Sequence, residues 1–256
     1  MKGIYVVYRK ELYRLFASPI FYVVAFIFLA LVGYFFYSSV AYYSLLSFQA
    51  GRTPFLAEQL NLTDMVLEPF FGSISVVLLL MVPLITMRLF AEEKKTGTVE
   101  LLFTYPISDR GAVLGKFIAG VSVLALLLAA TLPSMFLLEA FTNPPWPTIM
   151  AGYLGLLLTC SAFVSLGLFA SSLTQNQIIA AALAFGALLL LWIIGWAETL
   201  VGPTLGSFLK YLSLLTHFDN FARGILDSRD VFFYLLFTLF FLFTTLRILE
   251  SRHWRG

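Results

Sequence analysis

The longest stretches without a charged residue constrain this chain most. Between Arg14 and Arg52 lie 37 residues without Asp, Glu, Lys or Arg, and the interval from Ala140 to Ala197 contains 58 more. A helix of about 20 mostly apolar residues crosses the roughly 30 Å of hydrocarbon in a bilayer. Of the 256 residues, 60% are hydrophobic and only 12% are charged. A water-soluble fold of this length could not cover so much apolar surface. The chain is therefore predicted to span a membrane.

Charge-poor intervals predict six transmembrane helices in an all-α fold. The 58-residue interval is long enough for two spans, which the polar run 171–177 separates. The last interval, 231–246, is short but contains six Phe and five Leu, which favour insertion by about 3–7 kcal/mol. A single transmembrane domain is expected over residues 1–256. Its spans are predicted near 19–42, 69–88, 116–138, 149–171, 178–196 and 231–249.

The distribution of Lys and Arg predicts the orientation of these spans. Twelve of the 16 Lys and Arg residues fall on the side of the two termini and four fall on the other side. The positive-inside rule therefore places both termini in the cytoplasm. A net charge of +2 is too small to indicate a nucleic-acid partner. A cleaved signal peptide is the competing interpretation of the first apolar run, which is longer than the 7–15 residues of a typical signal core.

The N-terminal segment has the pattern of an amphipathic helix. Ile4, Tyr8, Leu12 and Leu15 fall on one helical stripe, with Tyr5 and Phe16 beside it and Lys10 and Arg14 opposite. Such a pattern is typical of a helix that lies in the cytoplasmic membrane interface. A plain positive flank of the first span is the alternative. The candidate residues of this interfacial helix are Tyr8, Arg9, Lys10, Glu11, Leu12 and Arg14. The Ser18-Pro19 pair then predicts a turn and a new helix start.

The stretch between spans 2 and 3 carries an apolar cluster among charges. Residues 88–95 are expected to extend helix 2 beyond the membrane, Gly97 to break it, and Thr98 to cap a short helix over 99–103. Ser108 is expected to cap the next helix. The cluster predicts a surface for a partner or a membrane, and a loop folded beneath its own bundle is the alternative. The candidate residues here are Glu92, Glu93, Lys94, Lys95, Gly97, Thr98, Val99, Glu100, Leu101, Leu102 and Phe103. Glu92 and Glu93 are expected on a solvated or partner-facing surface.

The connection from Ala197 to Asp230 is the longest on the outer side. Its apolar repeats predict short interfacial helices that dip into the outer leaflet, with breaks at Gly202-Pro203 and Gly224. Its candidate functional residues are His217, Phe218, Asp219 and Arg223.

Several chemistries are missing from the sequence. Only two histidines and one cysteine are present, so no cluster of zinc ligands is expected. The run from Gly111 to Lys116 resembles a phosphate-binding loop, but it is one residue too short, and Phe117 stands where Ser or Thr must hold magnesium. We therefore expect neither catalysis nor a directly bound cofactor. Small residues in spans 4 and 5, such as Gly167 and Gly186, are interpreted as packing positions.

Three fragments carry a resemblance to a known family. Residues 8–12 followed by 16–22, residues 88–106 with Gly115-Lys116, and residues 217–224 are similar to class 2 ABC exporter permeases. The branch with the gliding-motility-associated permease is the most similar. The resemblance covers essentially the whole chain.

The resemblance implies a permease in a bacterial or archaeal plasma (inner) membrane. Its partners would be a cytosolic ABC ATPase, which binds ATP and Mg²⁺, a second permease copy or paralogue, and membrane lipid. Residues 98–103 would form the coupling helix, and the segment between helices 5 and 6 the re-entrant external helices. The function indicated is that of an exporter subunit. The alternatives are a non-transporting membrane anchor of a motility or secretion complex and, less favoured, an intramembrane lipid-modifying enzyme.

Overall fold

The computed structural model describes residues 2–51, 61–97, 108–199 and 202–253. These residues are almost entirely helical, and no strand occurs among them. Residues Thr63–Leu67 form a π-helical turn, and Ile194–Thr199 form a 3-10 turn. The α-helices are α1 (Lys2–Ala17), α2 (Pro19–Ala50), α3 (Glu68–Thr86), α4 (Arg88–Lys95), α5 (Asp109–Ala129), α6 (Leu132–Phe141), α7 (Trp146–Leu173), α8 (Gln177–Ile193), α9 (Pro203–Leu212), α10 (Leu214–Ala222) and α11 (Ser228–His253).

Six helical stretches are long and apolar enough to cross a membrane, which confirms the predicted all-α fold with six spans. Each is longer than the predicted span. The second includes the helical extension expected over 88–95, which is α4, and the third begins at Asp109 and includes α6. The six stretches are Pro19–Ala50, Thr63–Lys95, Asp109–Phe141, Trp146–Leu173, Gln177–Ala197 and Ser228–Ser251.

Local sequence signals set several helix ends. Ser18 precedes α2 in an extended conformation, and Pro19 occupies the first turn, where its missing N–H leaves no hydrogen bond unmade. Ser108 caps α5, as predicted, by accepting a hydrogen bond of 3.2 Å from the Gly111 N–H. Gly97 follows α4 with φ at +69°. The Cβ of any other residue would be strained in this left-handed conformation, so the predicted break is confirmed.

Helix α7 is the centre of the bundle and packs against α3, α4, α5, α8, α10 and α11. Its glycines allow this close packing. A Cβ at Gly152 would overlap the ring of Phe71, and one at Gly167 would overlap the side chain of Thr86. A Cβ at Gly186 of α8 would meet no atom of the described residues within 4 Å. Of the two glycines interpreted as packing positions, Gly167 has that role, and Gly186 does not pack closely within the described part of the chain.

Candidate functional site

Three charged side chains meet in the interior where α1, α4 and α5 converge. Lys116 of α5 and Glu11 of α1 are fully buried, and Glu93 of α4 is 4% exposed. The Lys116 Nζ lies 2.6 Å from Glu11 Oε1 and 2.9 Å from Glu93 Oε2. It also donates a hydrogen bond of 2.6 Å to the Leu89 carbonyl. An ammonium group has three N–H donors, and three acceptors surround this one. We call Glu11, Glu93 and Lys116 the junction cluster.

Two more cations from α1 approach the remaining oxygen of each carboxylate in the junction cluster. Lys10 Nζ lies 3.0 Å from Glu93 Oε1, and an Arg14 nitrogen lies 3.1 Å from Glu11 Oε2. Lys10 is half exposed, so its attraction to Glu93 is weakened by water. The contacts of Lys116 are shielded from water, and this charge carries most of the compensation for the two buried carboxylates.

The approach of α1 to α5 depends on a glycine. A Cβ at Gly115 would lie 2.8 Å from the Val7 Cβ and 3.0 Å from the Ile4 carbonyl oxygen. Because Gly115 has no side chain, α1 comes close enough for Glu11 to reach Lys116. Val7, Glu11 and Leu15 form the buried face of α1, whereas Tyr5, which was predicted beside the apolar stripe, is 62% exposed.

A second set of contacts ties α4 to the end of α7. The Ser171 hydroxyl accepts hydrogen bonds of 3.0 Å from the Phe90 and Ala91 N–H groups and donates one of 2.9 Å to the Met87 carbonyl. Met87 is the break between α3 and α4, so Ser171 satisfies backbone groups that the break leaves free. Lys94 Nζ donates to the Ser172 carbonyl.

The predicted coupling residues fall into two groups. Thr98 to Phe103 lie outside the described residues, so their helix and contacts remain predictions. Glu93 differs from its expected solvated or partner-facing position, because it is buried and binds Lys116. Lys94 is buried as well and binds the Ser172 carbonyl. Glu92 is half-buried and Lys95 is exposed. In the sequence, residues 98–107 connect α4, which Glu93 ties to the junction cluster, with α5, which Lys116 ties to the same cluster.

The outer candidate residues lie on or beside α10, which packs into the bundle. Leu214, His217, Phe218 and Phe221 are buried, and a Cβ at Gly155 of α7 would overlap the Phe221 side chain. Arg223, just beyond α10, forms an exposed ion pair of 2.9 Å with Glu68.

Asp230, which the sequence analysis did not single out, completes the surroundings of His217. His217 Nδ1 lies 2.6 Å from Asp230 Oδ1, and Nε2 lies 2.9 Å from the Tyr211 carbonyl, which can only accept a hydrogen bond. Asn220 donates to the other Asp230 oxygen at 2.8 Å. The ring of His217 stacks on Phe233 with their centres 3.9 Å apart. Because its ring stacks on Phe233 and its Nδ1 contacts Asp230, both of α11, His217 connects α10 to α11.

Asp219 provides a pH-dependent prediction. Burial raises its pKa to about 6 from 3.8; nearby Arg223 lowers it and Glu68 raises it further. A carboxyl whose pKa is higher in the folded chain destabilises the fold when ionised, fully above about pH 6 and not at all below about pH 4. We expect Asp219→Asn to stabilise the chain by about 1 kcal/mol near pH 8, allowing for partial exposure, and to have no effect near pH 4. Unfolding midpoints in detergent across this range measure the difference. A gain that is the same at every pH would contradict the prediction.

The described residues contain no group of three or more His, Cys, Asp or Glu side chains placed to hold a metal ion. The chemistry available at the junction cluster is ion pairing between helices.

Comparison with known proteins identifies the family. The model of the family described as ABC-2 family transporter protein matches residues 5–249, which is nearly the whole chain. No curated protein sequence matches the chain. The matched range contains the junction cluster and the whole of the first five candidate spans. The chain therefore belongs to the ABC-2 family of transporter proteins, whose members are membrane components of ABC transporters.

Proposed function

We propose that the chain is the permease subunit of an ATP-driven exporter. It pairs with a separate cytosolic ABC ATPase, which binds ATP and Mg²⁺, and it dimerises with a second copy or a related permease. Both termini and residues 98–107 face the cytoplasm of a bacterial or archaeal cell. Within residues 98–107, Val99, Leu101 and Leu102 provide apolar contacts to the ATPase, and Glu100 pairs with basic groups on it.

The junction cluster is the observation that carries this proposal. Glu93 lies four residues before Gly97, and Lys116 lies eight residues after Ser108, so the cluster joins the two ends of the predicted coupling segment. Glu11 joins both ends to α1. A push on residues 98–107 would therefore move α4, the start of α5 and α1 together. Movement of helices as rigid bodies is a common way to switch a membrane protein between states.

The hydrogen bonds between α4 and α7 would carry a movement of α4 to the centre of the bundle. Ser171 and Lys94 connect α4 to the last residues of α7, and α7 contacts the helices of most other spans. Buried polar contacts of this kind are costly to break singly. A displacement of α4 would therefore be transmitted to α7 rather than absorbed at the α3–α4 break.

The double substitution Leu101→Asp and Leu102→Asp tests the predicted ATPase contact. We expect it to abolish co-purification of the ABC ATPase that accompanies the tagged wild-type chain, because two new charges would be buried at an apolar interface. Mass spectrometry of the purified complex identifies the ATPase and measures its amount.

The adjacent exposed residues Ile225 and Leu226, on the opposite side of the bundle, provide the matched control. Their replacement by Asp should leave the ATPase bound. Retention of the ATPase by the Leu101/Leu102 variant would contradict the coupling role. An ATPase that stays bound but responds to no solute in liposomes would favour the non-transporting anchor over the exporter.

A further inference from the structure

A groove of about 460 Å³ opens beside the junction cluster, between α1, the start of α2 and the end of the second span. Its inner wall is apolar and includes Phe21, Val24 and Ile85. Two further wall residues, Ile20 and Leu84, are 47% and 44% exposed, so the protein itself leaves much of this wall uncovered. We call this space the basic-rimmed groove.

The rim of the basic-rimmed groove carries an excess of positive charge. Lys10, Arg14 and Arg88 line it, and Glu92 is its one lining carboxylate. The neighbouring carboxylates Glu11 and Glu93 are shared by Lys116, Lys10 and Arg14. The three rim cations and Lys116 together exceed the three carboxylates, Glu92 included, by one positive charge at neutral pH, when Lys and Arg are protonated.

Arg88 is the cation with the least compensation. Its Nη1 donates a hydrogen bond of 3.3 Å to the Ser18 hydroxyl. Its Nε is buried and has no hydrogen-bond partner, and no carboxylate among the described residues forms an ion pair with it. A buried donor of a charged group normally binds an acceptor, because an unsatisfied one is costly. Arg14, whose guanidinium contacts the Arg88 carbonyl and Glu11, retains further N–H donors on the same rim.

The position of the groove along the spans matches the polarity of a phospholipid. The basic rim lies where α1 ends and α2 begins, at one end of the first candidate span. The apolar wall follows within the first turns of α2 and the last turn of α3. A phosphate at the rim would place acyl chains against this wall. Arginine binds phosphate oxygens through two parallel hydrogen bonds, which gives both strength and orientation.

We propose that the basic-rimmed groove binds one anionic phospholipid from the leaflet that contains α1. The lipid phosphate accepts hydrogen bonds from Arg88 and Arg14, and Lys10 adds attraction at the exposed edge. The first acyl carbons lie against Phe21, Val24 and Leu84. A zwitterionic headgroup fits less well, because its ammonium group would face the same cations. Free phosphate would leave the apolar wall uncovered.

Native mass spectrometry of the delipidated full chain tests this site. The probes are phosphatidylglycerol, phosphatidylcholine and inorganic phosphate, each titrated separately. We expect the wild-type chain to retain one phosphatidylglycerol molecule and to bind it about tenfold more tightly than phosphatidylcholine. Arg88→Gln and Leu84→Trp should each weaken phosphatidylglycerol binding about tenfold or more, the first by removing the charge and the second by filling the apolar wall.

Two control variants separate this groove from the general lipid surface. Leu80→Trp changes a residue that is 51% exposed on the same face of α3, one turn away, and Arg229→Gln removes an exposed cation elsewhere. Neither should alter phosphatidylglycerol binding. Circular dichroism verifies folding, and Leu84→Trp carries the test should Arg88→Gln fail to fold.

Three results would overturn the proposal. Equal retention of phosphatidylcholine would remove the requirement for an anionic lipid. Complete displacement of phosphatidylglycerol by millimolar inorganic phosphate would identify a free-anion site instead. Binding that is unaffected by Leu84→Trp would place the lipid outside the groove.

Discussion

Replacing Lys116 with Met is expected to destabilise the folded chain by about 3–5 kcal/mol, the usual cost of removing one partner from a buried ion pair. Methionine keeps most of the length and apolar stem of lysine but removes the ammonium, which also lies 5.0 Å from the centre of the Phe90 ring. The carboxylates of Glu11 and Glu93 would then lie buried without the charge that is 2.6 Å and 2.9 Å from them. The Leu89 carbonyl would also lose its donor.

The Lys116→Met effect is measured from unfolding in detergent at neutral pH. Lys10→Met is the matched control. Its ammonium binds the same Glu93 but is half exposed, and we expect a loss of about 1 kcal/mol or less. Adding Glu11→Gln and Glu93→Gln to Lys116→Met should restore most of the stability, because no buried charge would remain unpaired. Equal effects of Lys116→Met and Lys10→Met would contradict the assignment of Lys116 as the central charge.

Replacing Gly115 with Val is expected to cost about 1–3 kcal/mol through overpacking and to displace α1 from α5. The new Cβ would meet the Val7 Cβ at 2.8 Å and the Ile4 carbonyl at 3.0 Å. Helix propensity favours Val over Gly by a few tenths of a kcal/mol, so a loss of stability must come from the contact between the two helices. As α1 moves away, Glu11 loses its contact with Lys116.

Amide hydrogen exchange detects the displacement of α1. We expect faster exchange throughout α1 in the Gly115→Val chain, with little change in the central part of α7. Gly186→Val is the control, since Gly186 lies in a candidate span and a Cβ there would meet no described atom within 4 Å. Unchanged protection of α1 in the Gly115→Val chain would show that its docking does not require the glycine.

The six spans could be predicted because the absence of charge over about 20 residues is a strong and local signal. The ends of the spans were harder to predict. The helix of the first span continues to Ala50 instead of ending near residue 42. For the second span, hydropathy indicates an end near residue 88, and the helical extension predicted over 88–95 is present as α4. Glu and Lys are good helix formers, so charge marks the edge of the membrane without ending the helix.

The junction cluster could not be predicted from local patterns. Glu11 and Lys116 are separated by 105 positions, and hydropathy treats each of them as a polar flank of a span. Glu93 shows the same difficulty, because its neighbours are charged and a solvated position is the usual outcome for such a run. Only the close approach of α1 and α5 at Gly115 brings these three side chains together.

The candidate residues of the connection from Ala197 to Asp230 show another limit of sequence reasoning. His217 could be singled out because it lies among apolar repeats and in the fragment 217–224 that carries the family resemblance. Asp230 could not, because an acidic residue near the start of a helix is common and usually interacts with the helix dipole. Its pairing with His217 depends on α10 folding against α11, which no local pattern encodes.

The α-helices of the described residues differ widely in length, and α2 is the longest of them. At 1.5 Å per residue its 32 residues extend about 48 Å, whereas the 17 residues of α8 extend about 26 Å. The hydrocarbon core is only about 30 Å thick, so α2 must lean far from the bilayer normal or project beyond the surface. Because of this mismatch, a change in bilayer thickness would change the tilt of helices in the protein. Lipids with shorter or longer tails would change the inclination of α2 and, through the turn at Ser18, the angle between α2 and α1.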